Sequence, residues 1–298
     1  VSLLPFRVLY IFSDIASFIF YYLLRYRRKV VFDNLRSSFP EKSEAELNRL
    51  AKRFYVFLTD IFIESLKGMA ITKKDIRKRH KLMNPEVISR FNQENRSVLG
   101  VTAHYGNWEW GAFSGANEFT AKMVAFYKPI NNKVIDSYMV KHRARFNCHL
   151  ASISDTYFTF RRNVNEVVNY FMVADQSPSS IRKSHWVDFL NHDTPFLHGP
   201  DVYARLFNLP VVFFEIRSVK RGYYEVYFTL LTDNPASLPE GEVTRLFAKK
   251  LEEVIQREPS YWLWSHRRWK RSRLDLENSI KRMEEKKKKS KKDTNLDK

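Results

Sequence analysis

A single cysteine, Cys148, occurs in 298 residues. That excludes a disulfide scaffold and any cysteine-based zinc site, and it points to a reducing compartment. Glycine (8) and proline (11) are sparse, which excludes collagen-like and low-complexity chains. No GxxxxGK[ST], GxGxxG or GxSxG pattern occurs, so the common nucleotide-cofactor and serine-hydrolase readings fall away. A fixed-period repeat is also missing. His185, His192 and His198 lie seven and six residues apart without a helical or CxxC frame, so neither a metal nor a cofactor is expected. An uninterrupted membrane-spanning run is lacking as well. Residues 3–24 are strongly apolar, but Arg7 and Asp14 break them and the clean stretch, 15–24, is ten residues long. As a helix it covers about 15 Å, roughly half a bilayer core.

Acidic residues are in deficit. Lys and Arg number 51 against 33 Asp and Glu, a formal charge of +18. Aromatic residues reach 15%, high for a soluble enzyme. A chain both basic and aromatic-rich suits an anionic partner with an apolar part, an anionic membrane first and nucleic acid second. None of the common nucleic-acid motifs is present, so no nucleic-acid partner is expected. Residues 281–298 hold nine basic and four acidic residues. This segment reads as disordered or a frayed helix end, either simply solvated or in contact with anionic headgroups. The 15–24 stretch either ends a longer spanning helix or lies in the interface with Phe18, Phe20, Tyr21 and Tyr22 at headgroup level. A buried core helix is the soluble alternative. Arg25, Arg27, Arg28 and Lys29 follow at once, as on a cytoplasmic flank.

Three parts are expected: 1–30, an apolar membrane-associated helix with its basic flank; 31–275, a catalytic domain; and 276–298, the basic tail. Leu47, Leu50, Ala51, Phe54, Phe57, Leu58, Ile61 and Phe62 recur at helical spacing. Ser43 and Glu46 form a capping-box start and Gly68 a stop. From about residue 96 the texture becomes α/β. Apolar runs at 97–103, 122–127, 168–174 and 211–216 read as strands, with helices between them, as at 135–146 and 201–207. The runs are nearly continuous, so a single mixed, mainly parallel sheet flanked by helices on both faces is expected.

The chemical signal ends the first strand: SVLGVTAHYGNWEWGA. His104 leaves the strand, Gly106 permits a sharp turn, and Glu109 follows five residues after the histidine. On one helix that offset turns the two side chains apart, but a strand–turn–helix corner lets them meet. A carboxylate on one imidazole nitrogen fixes the tautomer and frees the other as a base. Asn107 can cap the new helix, Trp108 and Trp110 can wall the site, and backbone N–H groups near Gly106 can hold an anion.

HYGNWEWG resembles the HxxxxD/E motif of the glycerolipid (lysophospholipid) acyltransferase superfamily, in the H(F/Y)GNWE form of the late lipid A biosynthesis acyltransferases. Further blocks are similar in order along the chain: Arg27-Arg28, Asn34-Leu35 and Phe39-Pro40; Tyr127-Lys128-Pro129; Asp175-Gln176 after a strand; Phe189-Leu190 with Thr194, Phe196, Gly199 and Pro200; and Tyr261-Trp262-Leu263-Trp264 with His266-Arg267-Arg268-Trp269-Lys270. One departure is 191–193 (NHD), where the family often has glycine.

The resemblance implies a glycerolipid-acyltransferase-like fold. It also implies transfer of a fatty acyl group from a carrier thioester to a lipid hydroxyl. The donor would be acyl carrier protein, or acyl-CoA, and the acceptor a phosphorylated lipid A precursor at the cytoplasmic face of the inner membrane. Another lipid acceptor (a phospholipid, a phosphoinositol mannoside or an amino-acid lipid) is the alternative. His104 is expected as the general base and Glu109 as its orienting carboxylate. Arg143, with Arg145 as rival, is expected to stabilise the oxyanion. Asp175 is a second partner for His104 or a substrate ligand. Tyr105, Gly106, Asn107, Trp108, Lys128, Arg145, Gln176, His266, Arg267 and Arg268 are expected against substrate.

Overall fold

Four apolar runs come together as the middle of one sheet. The computed structural model describes residues 2–129, 131–144, 146 and 148–296. Strands β1 (His80–Leu82), β2 (Val98–Thr102), β3 (Lys122–Tyr127), β4 (Cys148–Ser152) and β5 (Val168–Val173) are followed by a separate antiparallel hairpin, β6 (His185–Phe189) and β7 (His192–Phe196). β8 (Val211–Lys220) and β9 (Tyr223–Thr232) complete a seven-stranded sheet in the order β1-β9-β8-β2-β5-β3-β4. Only the β8–β9 pair is antiparallel, so the sheet is mixed and mainly parallel, as expected. β2 is buried at every residue. Its Leu99 and Val101 face one core and Val98 the other, because strand side chains alternate between faces.

Helices cover both faces. α1 (Phe6–Phe18) runs on through a wider turn to Leu23, and α2 (Arg28–Ser38) and α3 (Glu44–Gly68) follow. The capping box on α3 forms as read: the Glu46 N–H meets Ser43 Oγ, and the Ser43 N–H meets Glu46 Oε2. α4 (Lys73–Arg79), α5 (Glu86–Gln93) and α6 (Trp108–Glu118) pack on one face. α7 (Lys133–Ala144), α8 (Thr156–Arg162), α9 (Gly199–Leu206), α10 (Glu242–Arg257) and α11 (Arg273–Leu296) complete the set. α9 and α10 join α2 and α3 in the other core, with Trp262 and Trp264 fully enclosed. Each such side chain contributes about 2–3 kcal/mol of burial.

α1 is neither isolated nor fully buried. Its Ser13 hydroxyl meets Asp60 Oδ1 at 2.6 Å, and Tyr10 OH donates to Glu64 Oε1 at 2.7 Å, both on α3. Arg221 bridges Asp14 and Asp60. The opposite face leaves Ile11, Phe12, Ile15 and Phe18 more than half exposed. By length and composition the stretch Phe6–Leu23 could cross a membrane. In the structure it lies along α3.

Candidate active site

The pairing of β2 with β5 builds the centre of the site. The strands are parallel, with Thr102 opposite Val173. Each sends its second residue beyond that pair to the same sheet edge: His104 from one, Asp175 from the other. The Ala174 N–H holds the register on Thr102 O at 2.9 Å. His104 Nδ1 and Asp175 Oδ1 are 2.6 Å apart. The second carboxylate oxygen accepts from Trp262 Nε1 at 2.8 Å. Burial alone pushes the Asp175 carboxyl up. The His104 charge and the bonds from His104 and Trp262 outweigh it, leaving Asp175 below its ordinary value. Asp175 is therefore anionic near neutrality and accepts the Nδ1 proton. Nε2 is left as the basic nitrogen, and the Gln176 amide donates to it at 3.2 Å.

This corrects one expectation. The carboxylate on the imidazole is Asp175, not Glu109. Glu109 sits in the first turn of α6 and lines the cleft in front of His104. The hydrogen bonds of His104 go to Asp175 and Gln176. Adjacent parallel strands hold their termini about 5 Å apart. That delivers Asp175 to the ring more directly than a helix starting on the far side of the turn delivers Glu109.

The turn itself depends on Gly106. Its φ is +59°, and a Cβ there would fall 2.4 Å from Ile216 O. Asn107 caps α6, its Oδ1 accepting the Trp110 N–H at 3.0 Å. Two other expectations change. Of the backbone N–H groups near Gly106 expected to hold an anion, that of Gly106 itself donates to Tyr261 O at 3.1 Å. Trp110 is fully buried behind the turn, with Nε1 on Glu64 O, and does not wall the site. Tyr105 is likewise buried, its hydroxyl on Glu258 O at 2.8 Å, and Asn107 donates to Glu64 Oε2. These residues hold the turn rather than face the cleft. Trp108 does face it, edge-on to His104 with centroids 5.0 Å apart.

In front of His104 opens a cleft of about 460 Å³. Ala112, Ala125, Phe126, Leu150, Phe171 and Val173 give it an apolar depth between α6 and the sheet. Glu109, Lys128, Asp136, Gln176 and Ser177 make its rim polar. The Arg143 side chain and the whole of Arg145 lie outside the described residues.

The carboxyl-terminal block is a back wall. Tyr105 and Trp262 form a β-bridge. His266 Nε2 accepts the Ser177 N–H at 3.1 Å, and burial pushes this histidine down to about 4, so it is neutral at pH 7. Arg267 is exposed. Arg268, expected against substrate, is instead fully buried over the Phe196 ring at 4.4 Å, its guanidinium without a hydrogen-bond partner among the described residues. Burial pulls it down to about 9, against the Asp175 charge, and it stays cationic. Trp262 is the site residue that motif reading missed. Its sequence signal is membership of the YWLWSHRRWK block.

The sequence model of a family described as bacterial lipid A biosynthesis acyltransferase matches residues 1–271. The lipid A biosynthesis palmitoleoyltransferase of Escherichia coli (strain K12) is 24% identical over 258 residues, covering 83% of this chain and 80% of that protein. The lipid A biosynthesis acyltransferase of Shigella flexneri matches to the same extent. The lipid A biosynthesis lauroyltransferase of E. coli (strain K12) is 24% identical over 270 residues, covering 90% and 87%.

Proposed function

Because the chain belongs to the bacterial lipid A biosynthesis acyltransferase family, we propose that it moves a fatty acyl group from an acyl carrier protein thioester to a hydroxyl of a lipid A precursor. The observation that carries this reading is the His104–Asp175 pair at the mouth of an apolar cleft.

The acceptor hydroxyl takes the place of the Gln176 amide at His104 Nε2. Nε2 removes its proton as the oxygen attacks the thioester carbonyl carbon. The tetrahedral intermediate collapses with cleavage of the C–S bond, and the imidazolium returns the proton to the departing thiolate. An ester and a free carrier thiol result. Anionic Asp175 stabilises the imidazolium through Nδ1–H, and Trp262 keeps the carboxylate aimed. A positioned base of this kind contributes a hundred- to ten-thousand-fold. The displaced Gln176 amide and the cation of Arg143, with Arg145 as rival, are the oxyanion donors in this proposal, at about 3–4 kcal/mol each. Glu109 and Lys128 on the rim orient the acceptor, and the apolar depth takes the acyl chain.

The surroundings fit two acidic substrates, one of them in a bilayer. The basic surplus steers both. The outward face of α1, with exposed Phe62 of α3 and the basic Arg25, Arg27, Arg28 and Lys29, rests on the cytoplasmic side of the inner membrane in this reading.

The test is direct. Purified protein, acylated carrier protein and lipid A precursor are incubated, and the lipid is weighed by mass spectrometry. One added acyl group is expected. A free fatty acid with an unchanged lipid, or acylation of a phospholipid in its place, would reject the acceptor.

A further inference from the structure

Beside the catalytic cleft runs a second groove of about 700 Å³. Ser179 lies in the wall of both. It is three residues past Gln176, the residue on His104 Nε2, so the two Cα atoms are at most about 11 Å apart. One bank of the groove is the loop that leaves Asp175 and Gln176, carrying Ser179 and Arg182. The other bank is Arg271 and helix α11, with Asn278 and Arg282. The family match ends at residue 271. Half of the groove is thus family scaffold and half a helix outside the matched part.

Three exposed guanidinium groups, of Arg182, Arg271 and Arg282, line this groove, and among the described residues none of them is in a close ion pair, although the Arg271 charge acts on Asp275. Among the described residues Arg182 meets the Met283 thioether across the groove. Arg273 nearby is different, held in a fork by Asp193. Two carboxylates line the groove as well. Asp275 accepts from the Ser272 N–H and hydroxyl and lies in the field of Arg271, and Glu285 is the second. Planar forks together with a hydroxyl and an amide are the donor set that recognises a phosphate.

We propose that this groove seats a phosphate of the acceptor's sugar headgroup and so holds the sugar hydroxyl over His104. The inference rests on the reading of the acceptor as a phosphorylated glycolipid. The groove has the size of a small-molecule site. A carrier protein docks over a face of roughly 800 Å² per partner instead.

The test compares wild type with the triple variant R182Q/R271Q/R282Q. Two acceptors in mixed micelles are used: lipid A precursor with its phosphates, and the same lipid after phosphatase treatment. The expected result is a tenfold or larger rise in KM for the phosphorylated acceptor only, with the donor KM moving less than twofold. A triple Arg→Lys variant, which keeps charge but not the fork, should fall between. Equal losses on both acceptors, or a shift in the donor KM instead, would overturn the proposal. Calorimetric titration with glucosamine 1-phosphate gives a readout without acyl transfer, and the triple variant should lose its binding. If wild type acylates neither lipid yet binds the sugar phosphate through these arginines, the function above fails and the groove stands. If the triple variant acylates the phosphorylated lipid with unchanged KM, the groove fails and the function stands.

Discussion

The turn at residues 103–110 has two sides, and each carries an imidazole and a carboxylate. In front, His104 meets Asp175 and opens on the cleft. Behind, Glu64 accepts from Tyr10, Tyr224 and Asn107, while His80 Nε2 donates to Asn107 O at 3.2 Å. The rear groups are the more perturbed. Burial pushes Glu64 up to about 7 and His80 down to about 3. By displacement alone the rear would look like the place for chemistry. Glu64 and His80 are buried with their polar atoms engaged, and their partners bind α1, α3, β1 and β9 to the turn. Access, more than a shifted pKa, separates a reacting pair from a structural one.

The largest expected effect is on the front. His104→Gln keeps a donor for Asp175 and removes the base, so kcat/KM should fall about a thousandfold. The melting temperature should move only slightly, because no buried carboxylate is orphaned. A residual rate within tenfold of wild type would remove His104 from the mechanism.

A double-variant cycle then asks which carboxylate serves the histidine. Asp175→Asn alone should cost about a hundredfold or more, through a disturbed tautomer. In the His104→Gln background it should cost nothing further, because its effect passes through the ring. Glu109→Gln, assigned to the acceptor, should still lower the residual rate there. The reverse pattern would restore Glu109 as the orienting group.

Behind the turn the readout is stability. Glu64→Ala strands two tyrosine hydroxyls and the Asn107 amide in a closed site. At about 1–3 kcal/mol for each lost partner, a loss of at least 3 kcal/mol is expected. For a chain of this size, that lowers the melting point by roughly 5 °C or more. At low temperature the folded fraction should keep kcat within about tenfold of wild type, because Asn107 still caps α6. A collapse of kcat in fully folded protein would mean that the rear network takes part in the chemistry.

What could be read in advance follows the same division between local and distant. Continuous apolar runs identify β2, β3, β5 and β8. They pass over β9, whose burial alternates through Tyr224, Val226 and Phe228, and β1, which is three residues long. The cap at Asn107 and the glycine at 106 are legible because their physics is confined to a few residues. The partner of His104 is 71 positions away. Spacing offered Glu109 instead, since no local pattern says that β2 and β5 are neighbours. Asp175 is legible in the sequence as a strand-end carboxylate and a second partner for His104 or a substrate ligand, without anything to rank it above Glu109. The burial of Arg268 was hidden for a similar reason: a basic run reads as surface until a fold encloses one member of it.

The smallest effect expected is the pH dependence of stability, and its sign can be worked out. Folded Glu64 keeps its proton up to about pH 7, whereas the unfolded chain releases it near 4.5. Between those values the folded state binds more protons, so this group lowers stability as pH rises, by on the order of 3 kcal/mol across the window. His80 acts oppositely. The unfolded imidazole protonates below about 6.5 and the folded one only near 3, so stability falls as pH falls between them. Where the windows overlap, from about 4.5 to 6.5, the two slopes cancel and wild type should show a plateau. Glu64→Gln removes one slope only. Its melting temperature relative to wild type should therefore climb steadily from pH 5 to 7 and level off above, whatever its offset at pH 5. A flat difference across that range would mean that Glu64 is already ionised in the fold, and that the rear of the turn is as well solvated as the front.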